Sequence, residues 1–256
     1  MKERSMTRSS SDTNRPIKAG TFIKTVSPHI VEILGTTALD FGVLDAEHAP
    51  FDRSAIDLMM LAGRAAQLPL YVRVPDYEAS TILSVLDMGA AGIVVPHVDT
   101  AEQAAQIVAR ARYKGGERGF SSSPRAAGYG TMTYKQAQEA GDQTLVLCQI
   151  ESVAGLDNVE RIAAVPGVGG LFVGRADLAL SMGEEGSRSP AVLEATTRIV
   201  RAALDAGKIA AMFVANAAER DEFAAQGATW FVIGSDQSLL RQGAQSVAVA
   251  GGRAQG

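Results

Sequence analysis

Cysteine and long apolar runs are scarce in this sequence. Cys148 is the one cysteine among 256 residues, which excludes a disulfide framework and is typical of a reducing compartment. It lies within an apolar run, so we interpret it as a core residue and not as a nucleophile. No apolar run approaches the roughly 20 residues that a membrane-spanning helix needs, and residues 1–16 lack the apolar segment of a signal peptide. Basic blocks are absent as well, and a net charge of -4 argues against a nucleic-acid surface. We therefore expect a cytoplasmic protein that binds neither nucleic acid nor membranes.

Apolar residues are abundant: 46% of the residues are hydrophobic and 20% are charged, which is enough for a substantial core. The segment 1–16, rich in serine and arginine, predicts a disordered N-terminal tail. Residues 17–250 contain no linker of Pro/Ser/Gly character, and we expect them to form one domain.

A short apolar strand, a loop and a helix recur along this domain. The strands are typical of strands buried on both faces, because they are apolar without alternation. Strands are predicted at residues 21–25, 41–45, 70–74, 91–95, 144–150, 170–173, 208–214 and 229–233. Helices are predicted at about 28–34, 52–67, 77–88, 100–112, 151–163, 190–206, 216–226 and 236–249. Eight such units predict an α/β fold, a single-domain (β/α)8 TIM barrel. A doubly wound sheet is the alternative, but no G-x-G-x-x-G follows the first strand.

Enzymes with this fold build their chemistry at the C-terminal ends of the strands. Polar side chains are concentrated at those ends: Asp45, Glu47, His48, Arg73, His97, Gln149, Glu151, Arg175, Asp177, Asn216, Ser235 and Asp236. A long connection from Lys114 to about Met132 is expected to be functional as well.

Glu151 and Asp177 each follow a buried strand, so two hard oxygen ligands are expected to converge from neighbouring elements. This arrangement suits Mg²⁺ or Mn²⁺, which leave coordination positions for substrate and water. The alternative is that the two carboxylates cap the helices that follow them.

Arg73 ends an apolar strand and needs an anionic partner, which is either a substrate oxygen or one of Glu47 and Glu151. A histidine, an arginine and two carboxylates together indicate carbonyl chemistry on a 2-oxo acid. The metal would act as a Lewis acid, the arginine would stabilise an enolate oxygen, and the histidine would move a proton. A Schiff-base aldolase would need a lysine at these strand ends, where Lys24 is the one lysine.

Six motifs, in this order, resemble those of the HpcH/HpaI class II aldolases: LDAEHAP (44–50), YVRVP (71–75), VVPHV (94–98), ERG (117–119), QIES (149–152) and GRADL (174–178). The resemblance runs from about residue 17 to about residue 240. The family comprises metal-dependent pyruvate aldolases, and its type member cleaves 4-hydroxy-2-oxoheptane-1,7-dioate. The resemblance implies a carbon–carbon lyase that reversibly cleaves 4-hydroxy-2-oxo acids to pyruvate and an aldehyde, through a metal-bound pyruvate enolate. It also implies oxaloacetate decarboxylation as a side activity, a divalent cation (Mg²⁺, Mn²⁺ or Co²⁺), and a homo-hexamer built as a dimer of trimers.

Residue roles follow from the same resemblance. It implies that Glu151 and Asp177 ligate the metal, that His48 is the proton acceptor and that Arg73 stabilises the transition state. Asp177 then belongs to both the metal site and the substrate site.

Three further residues are implied to take part, and two positions depart from the family. Gln149 and the backbone of Ala176 are implied to contact the pyruvoyl group, and Asp87 to raise the basicity of the catalytic histidine. Arg175 replaces a proline of the type member. The loop 120–130 also differs; its Arg125 binds a distal substrate carboxylate or, alternatively, lies on the surface. His97 is expected to face the strand ends without a catalytic role.

Two other functions compete with the pyruvate aldolase. One is a citrate-forming or CoA-ester lyase of the same superfamily, which would require a different second substrate. The other is a catalytically inert barrel that binds a metabolite or acts as a scaffold. Loss of Glu151, Asp177, Arg73 or His48 would have favoured the inert barrel, and all four are present.

Overall fold

The computed structural model of the chain describes residues 16–251. The predicted disordered tail, apart from Pro16, lies outside the described residues. No helix within residues 16–251 is long and apolar enough to cross a membrane.

Eight parallel strands close into a barrel. They are β1 (Lys18–Ile23), β2 (Phe41–Asp45), β3 (Leu70–Arg73), β4 (Gly92–Val95), β5 (Leu145–Ile150), β6 (Gly170–Val173), β7 (Ile209–Val214) and β8 (Trp230–Ser235). Each strand pairs with the next one along the chain, and β8 pairs with β1. The structure thereby confirms the predicted (β/α)8 barrel and excludes the open doubly wound sheet.

The helices run back along the outside of the barrel. They are α1 (Pro28–Gly35), α2 (Arg53–Ala65), α3 (Ala79–Asp87), α4 (Ala101–Ala111), α5 (Tyr134–Asp142), α6 (Val153–Asp157), α7 (Val159–Ala163), α8 (Arg175–Met182), α9 (Pro190–Asp205), α10 (Ala217–Ala224) and α11 (Asp236–Ala250). A 3₁₀ helix, Arg125–Gly130, precedes α5 in the long connection.

Two predicted elements differ from the observed ones, and two observed helices were not predicted. β1 begins at Lys18, earlier than the predicted residue 21, because Lys18 is in register with Trp230 of the distant β8. The predicted helix 151–163 is divided into α6 and α7 at Asn158. The helices α5 and α8 were not predicted, since each buries only two or three residues.

The core has two layers. Inside the barrel, Phe41 stacks on Trp230 with ring centroids 3.8 Å apart, and Phe22 meets Phe172 edge to face at 6.4 Å. A larger apolar layer fills the space between the strands and the helices. Cys148 belongs to this outer layer, where burial raises the pKa of its thiol to about 12. The thiol is therefore held protonated, as expected for a core residue.

α11 begins in the barrel and then extends away from it. Its first residue, Asp236, is buried and accepts hydrogen bonds from the backbone N–H groups of Lys24 and Thr25, both at 2.9 Å. Further along, Leu240 and Val247 are 72% and 74% exposed. The helix therefore presents apolar side chains that residues 16–251 do not cover.

Candidate active site

A cavity of about 410 Å³ opens at the C-terminal ends of the strands. Its apolar floor is formed by the aromatic rings of Phe22, Phe172 and Phe213, and Phe22 stacks on Phe213 at 5.9 Å. Polar groups form the walls: Lys24, His48, Arg73, Gln149, Arg175, Asp177, Ser187, Glu219, Ser235 and Ser238. Six of the twelve strand-end residues identified in the sequence thus line one cavity: His48, Arg73, Gln149, Arg175, Asp177 and Ser235.

Glu151 lies directly after β5 and is almost completely buried, with its side chain 2% exposed. One carboxylate oxygen, Oε1, accepts a hydrogen bond from the backbone N–H of His97 at 2.8 Å, and Oε2 accepts one from the side-chain amide of Gln149. The cap of the following helix α6 is Ser152, whose hydroxyl accepts from Gly155. Glu151 therefore does not cap this helix, which excludes the structural alternative for that residue.

Glu47, His97 and Glu151 form a cluster of candidate metal ligands. Each offers one ligand atom, and these atoms lie within 4.8 Å of one another. The His97 ring nitrogens are 3.1 Å from Glu151 Oε1 and 3.4 Å from Glu47 Oε1. Burial raises the pKa of Glu47, and the neighbouring charge of Glu151 acts in the same direction, against the opposing charges of Arg73 and the two histidines. Closely spaced carboxylates of this kind are stabilised by a shared cation.

Asp177 is the third residue of α8 and lines the cavity. It lies outside the cluster of Glu47, His97 and Glu151, so the predicted pairing of Asp177 with Glu151 at a metal stays a prediction. Gly174 is the residue before α8 and lies beside Glu151: a side-chain β-carbon on Gly174 would be 2.7 Å from Glu151 Oε2. The start of α8 therefore lies against the Glu151 carboxylate.

The donors around this point fit a divalent cation. They are carboxylate oxygens with one imidazole, and Gln149 Oε1 is a buried oxygen without a hydrogen-bond partner. Oxygen-rich sites of this type suit Mg²⁺ or Mn²⁺. The residues present thus fit the metal that the sequence predicted.

Arg73 is fixed by two carboxylates and a ring. Its Nε and Nη2 lie 3.0 and 2.8 Å from Oδ1 of Asp45, and Nε is 3.2 Å from Oε2 of Glu47. The guanidinium also lies over the Phe22 ring, 4.6 Å from its centroid. The pairing with Glu47 matches one of the alternatives considered for Arg73, whereas the contact with Asp45 was not predicted.

Asp45 is completely buried beneath these residues. Burial alone would raise the pKa of its carboxyl group, but Arg73 and Lys24 outweigh burial and hold the pKa below its usual value. Lys24 Nζ lies 3.0 Å from Oδ2, and the backbone N–H of His48 donates to Oδ1 at 3.2 Å. Asp45 therefore ties together residues that follow three neighbouring strands.

His48 lies in the turn after β2, and its side chain is 54% exposed. Its Nε2 is 3.7 Å from Oε2 of Glu47, and the side chain lines the cavity. An exposed imidazole beside a cavity can accept a proton from a bound molecule.

Arg175 is buried against β7 and α10. Its Nη2 donates to the carbonyl of Phe213 at 3.1 Å and to Glu219 at 2.9 Å, and the guanidinium lies over the Phe223 ring at 4.8 Å. This position, where the type member of the family has proline, therefore connects α8 to the neighbouring unit of the barrel. Ala176, the next residue, lines the cavity in the first turn of α8, where backbone N–H groups have no intrahelical partner.

Asp87 and Arg125 are not brought to the cavity within one chain. Asp87 is the last residue of α3, which runs antiparallel to the strands, so it lies at the opposite end of the barrel from His48. Its Oδ1 accepts from Arg118 at 2.8 Å. Arg125 donates to Asp57 and to the carbonyl of Met88, both at 2.7 Å. Contacts of these two residues with His48 or with a substrate in the same chain are therefore not formed.

Comparison with known proteins decides the family. Residues 18–243 match the family model described as HpcH/HpaI aldolase/citrate lyase. The chain belongs to the HpcH/HpaI aldolase/citrate lyase family. It is a carbon–carbon lyase of that superfamily, and the family is divalent-metal dependent.

Relatives within the HpcH/HpaI family cover nearly the whole chain. A 5-keto-4-deoxy-D-glucarate aldolase from Klebsiella pneumoniae is 39% identical over 236 residues, which are 91% of this chain and 92% of that protein. An HpcH/HpaI family protein from Burkholderia cenocepacia superposes with a TM-score of 0.87 at 34% identity, covering 92% of this chain and 95% of that one. The citrate synthase SbnG superposes with a TM-score of 0.83 at 28% identity, covering 92% and 93% of the two chains.

Sequence reasoning assigned no catalytic or metal-binding role to Asp45, Glu47, His97 or Lys24, and it considered Glu47 only as a salt-bridge partner of Arg73. The signal for all four was present, because each lies at or just after the end of a strand. Asp45 and Glu47 contact Arg73, His97 contacts Glu151, and Lys24 contacts Asp45. These contacts span many residues of sequence and follow only from closure of the barrel.

Proposed function

We propose that this HpcH/HpaI family member reversibly cleaves 4-hydroxy-2-oxo acids to pyruvate and an aldehyde. The observation that carries the proposal is the cavity lined by an exposed His48, a fixed Arg73 and Gln149, whose side-chain amide donates to the buried carboxylate of Glu151. The relatives named 5-keto-4-deoxy-D-glucarate aldolase support the same reaction type. A 5-keto-4-deoxyglucarate is therefore the first substrate to test.

Glu151 and Asp177 would hold the divalent cation, beside Glu47 and His97. When bound, the cation supplies Lewis-acid polarisation of the 2-oxo group. The side-chain amide of Gln149 donates one hydrogen bond to Glu151, and its second N–H is available to donate to an oxygen at the pyruvoyl end of the substrate. The backbone N–H groups in the first turn of α8, Ala176 among them, favour the substrate carboxylate at the same end.

His48 takes the proton of the C4 hydroxyl group of the substrate. The C3–C4 bond then breaks, its electron pair forms the C2–C3 double bond of the pyruvate enolate, and the aldehyde leaves. Arg73 stabilises the enolate oxygen, because Asp45 and Glu47 hold its guanidinium fixed before the charge develops. Protonation of C3 gives pyruvate. Oxaloacetate decarboxylation needs the same enolate but no hydroxyl proton transfer, and it is proposed as a side activity.

Metal removal tests this proposal. Purified protein is treated with excess chelator and assayed for pyruvate release from a 4-hydroxy-2-oxo acid, with and without added Mg²⁺, Mn²⁺ or Co²⁺. We expect release to be lost on chelation and restored by at least one cation. Exchange of the pyruvate methyl protons with D₂O, measured by NMR, should likewise be lost on chelation and restored by the cation. Full activity in metal-free protein would contradict the mechanism.

A citrate-forming reaction is the second candidate, because the structurally similar SbnG is a citrate synthase. The two reactions differ in their substrates and products. A pyruvate aldolase releases pyruvate from 4-hydroxy-2-oxo acids, whereas citrate formation needs oxaloacetate as the acceptor. Product analysis by mass spectrometry after incubation with each substrate separates the two candidates.

A further inference from the structure

His97 has a backbone conformation that few residues other than glycine adopt. Its φ is 54°, in the left-handed region, where histidine, asparagine and aspartate are the more frequent non-glycine residues. The preceding residue, Pro96, has its φ fixed at about -65° by the proline ring, so the turn after β4 starts from a stiff residue. Backbone strain of this kind persists where the surrounding structure holds it, and it is concentrated at functional sites.

The left-handed turn directs two successive N–H groups to the end of β5. His97 N–H donates to Glu151 Oε1 at 2.8 Å, and Val98 N–H donates to the backbone carbonyl of Gln149 at 3.2 Å. In an extended strand, successive N–H groups point to opposite sides, so an extended backbone at this position would not provide both bonds. The positive φ of His97 therefore accounts for a hydrogen bond to the proposed metal ligand.

The two carboxylate oxygens of Glu151 have different surroundings. Oε1 lies against His97, whereas Oε2 lies beside Gln149 and Gly174, which line the cavity. Gly174 immediately precedes α8, the helix that carries Asp177. The hydrogen bond from His97 therefore holds Oε1 and leaves Oε2 on the side where Asp177 would share a cation.

The imidazole ring of His97 contributes less than its backbone. The ring is 67% exposed, with Nδ1 3.1 Å from Glu151 Oε1 and Nε2 3.4 Å from Glu47 Oε1. Exposed ion pairs add little, whereas a hydrogen bond from a backbone N–H to a buried carboxylate is charge-assisted and strong. Hydrogen bonds of this type orient a ligating carboxylate, and their loss weakens metal binding by about 10- to 100-fold.

We propose that His97 is a positioning residue for Glu151, and that it acts through its left-handed backbone and not as a metal ligand. This inference rests on the proposed metal site at Glu151 and Asp177. Within the cluster of Glu47, His97 and Glu151, it places the imidazole ring outside the coordination sphere of the cation.

Substitutions that separate the backbone from the ring provide the test, with the Mn²⁺ dissociation constant from calorimetry as the readout. His97→Gly removes the ring and adopts a positive φ without strain, and asparagine in His97→Asn also tolerates this region. Both variants should bind Mn²⁺ as the wild type does. In His97→Val the β-branched side chain disfavours the left-handed turn, and the dissociation constant should rise about 10- to 100-fold.

Gln67 provides a matched control for backbone strain. It has the same φ of 54° and lies in the turn between α2 and β3, at the opposite end of the barrel. Gln67→Val and His97→Val should both lower the urea midpoint of unfolding, whereas only His97→Val should weaken Mn²⁺ binding. If His97→Val does not fold, His97→Ala takes its place and is compared with Gln67→Ala.

Three results would overturn the inference. One is Mn²⁺ binding that weakens as much in His97→Gly as in His97→Val, because the effect would then belong to the ring. Another is wild-type affinity in His97→Val. The third is an imidazole nitrogen coupling in the electron spin echo spectrum of bound Mn²⁺ that is lost in His97→Gly, because His97 would then be a ligand.

The proposed function and this inference fail in different ways. Wild-type protein that binds Mn²⁺ but neither exchanges the methyl protons of pyruvate nor cleaves 4-hydroxy-2-oxo acids would refute the aldolase proposal, and the His97 series would still decide the positioning role. Wild-type protein that exchanges and cleaves, with an Mn²⁺ affinity that does not respond to His97→Val, would retain the aldolase proposal and refute the role of His97. Wild-type protein that binds no divalent cation would refute both.

Discussion

Gly174 is the position where the structure makes the sharpest prediction about the proposed metal site. It separates β6 from α8, and its φ of -93° is accessible to any residue. A β-carbon added there would lie 2.7 Å from both Cβ and Oε2 of Glu151 and 3.2 Å from Nε2 of Gln149. In Gly174→Ala the new methyl group therefore meets the proposed metal ligand, and the backbone conformation itself is not strained.

The size of the effect follows from these distances. Carbon atoms in contact are about 3.5 to 4.0 Å apart, so the separation from Glu151 Cβ has to increase by about 1 Å. Cβ is attached to the backbone of β5, and rotation of the Glu151 side chain cannot relieve the contact. The start of α8 has to move away from β5, at a cost of about 1–3 kcal/mol in stability. A displacement of about 1 Å at a catalytic site lowers activity on the order of 10²-fold.

The assay combines three measurements on Gly174→Ala: pyruvate release, the Mn²⁺ dissociation constant from calorimetry, and the free energy of unfolding in urea. Weaker Mn²⁺ binding and the loss of activity should occur together in a protein that still folds. Gly186→Ala, in the same part of the chain, is the matched control, because no atom of the described residues lies within 4 Å of the added β-carbon. Wild-type Mn²⁺ affinity in Gly174→Ala would refute the assignment of Glu151 as a ligand at this point.

Three further predictions concern catalysis, stability and assembly. His48→Ala should lower aldol cleavage much more than oxaloacetate decarboxylation, whereas Arg73→Ala should lower both by about 10²–10³-fold; equal losses in His48→Ala would contradict its role as a base. Because the pKa of Asp45 is lowered, its ionised form should stabilise the fold above the unfolded value of about 3.9, and this contribution should be lost as the pH falls through the lower folded value. The free energy of unfolding in urea should then decrease more steeply with falling pH for the wild type than for Asp45→Asn. Parallel pH dependences of the two proteins would refute this. Light scattering should show a hexamer that covers the exposed Leu240 and Val247 of α11, and a monomer at micromolar concentration would count against it.

The eight strands and their order follow from the sequence alone. Each strand is a local apolar run, and the closed parallel barrel is the arrangement that buries such runs on both faces. The residues at the strand ends could be identified for the same reason, because the C-terminal ends of parallel strands meet at one end of a barrel. His48, Arg73, Gln149 and Asp177 were found in this way, and all four line the cavity.

Only the tertiary structure decided which of these residues are partners. Arg73 and Asp45 are 28 residues apart in sequence, and His97 and Glu151 are 54 apart. No local pattern carries such pairings, since they depend on which strands become neighbours and on the register between them.

The tertiary structure also decided what lies away from the cavity. The resemblance implied that Asp87 raises the basicity of the catalytic histidine. Arg125 was a candidate for binding a distal carboxylate of the substrate. α3 runs antiparallel to the strands and carries Asp87 to the other end of the barrel, and Arg125 is bound to Asp57 outside it. The sequence suggested no role for Lys24 at the end of the first strand. Pairing of β1 with β2 and β8 places it beside Asp45 at the cavity. The sequence determines which side chains reach the strand ends, whereas the direction of each helix and the closure of the barrel determine which of them meet.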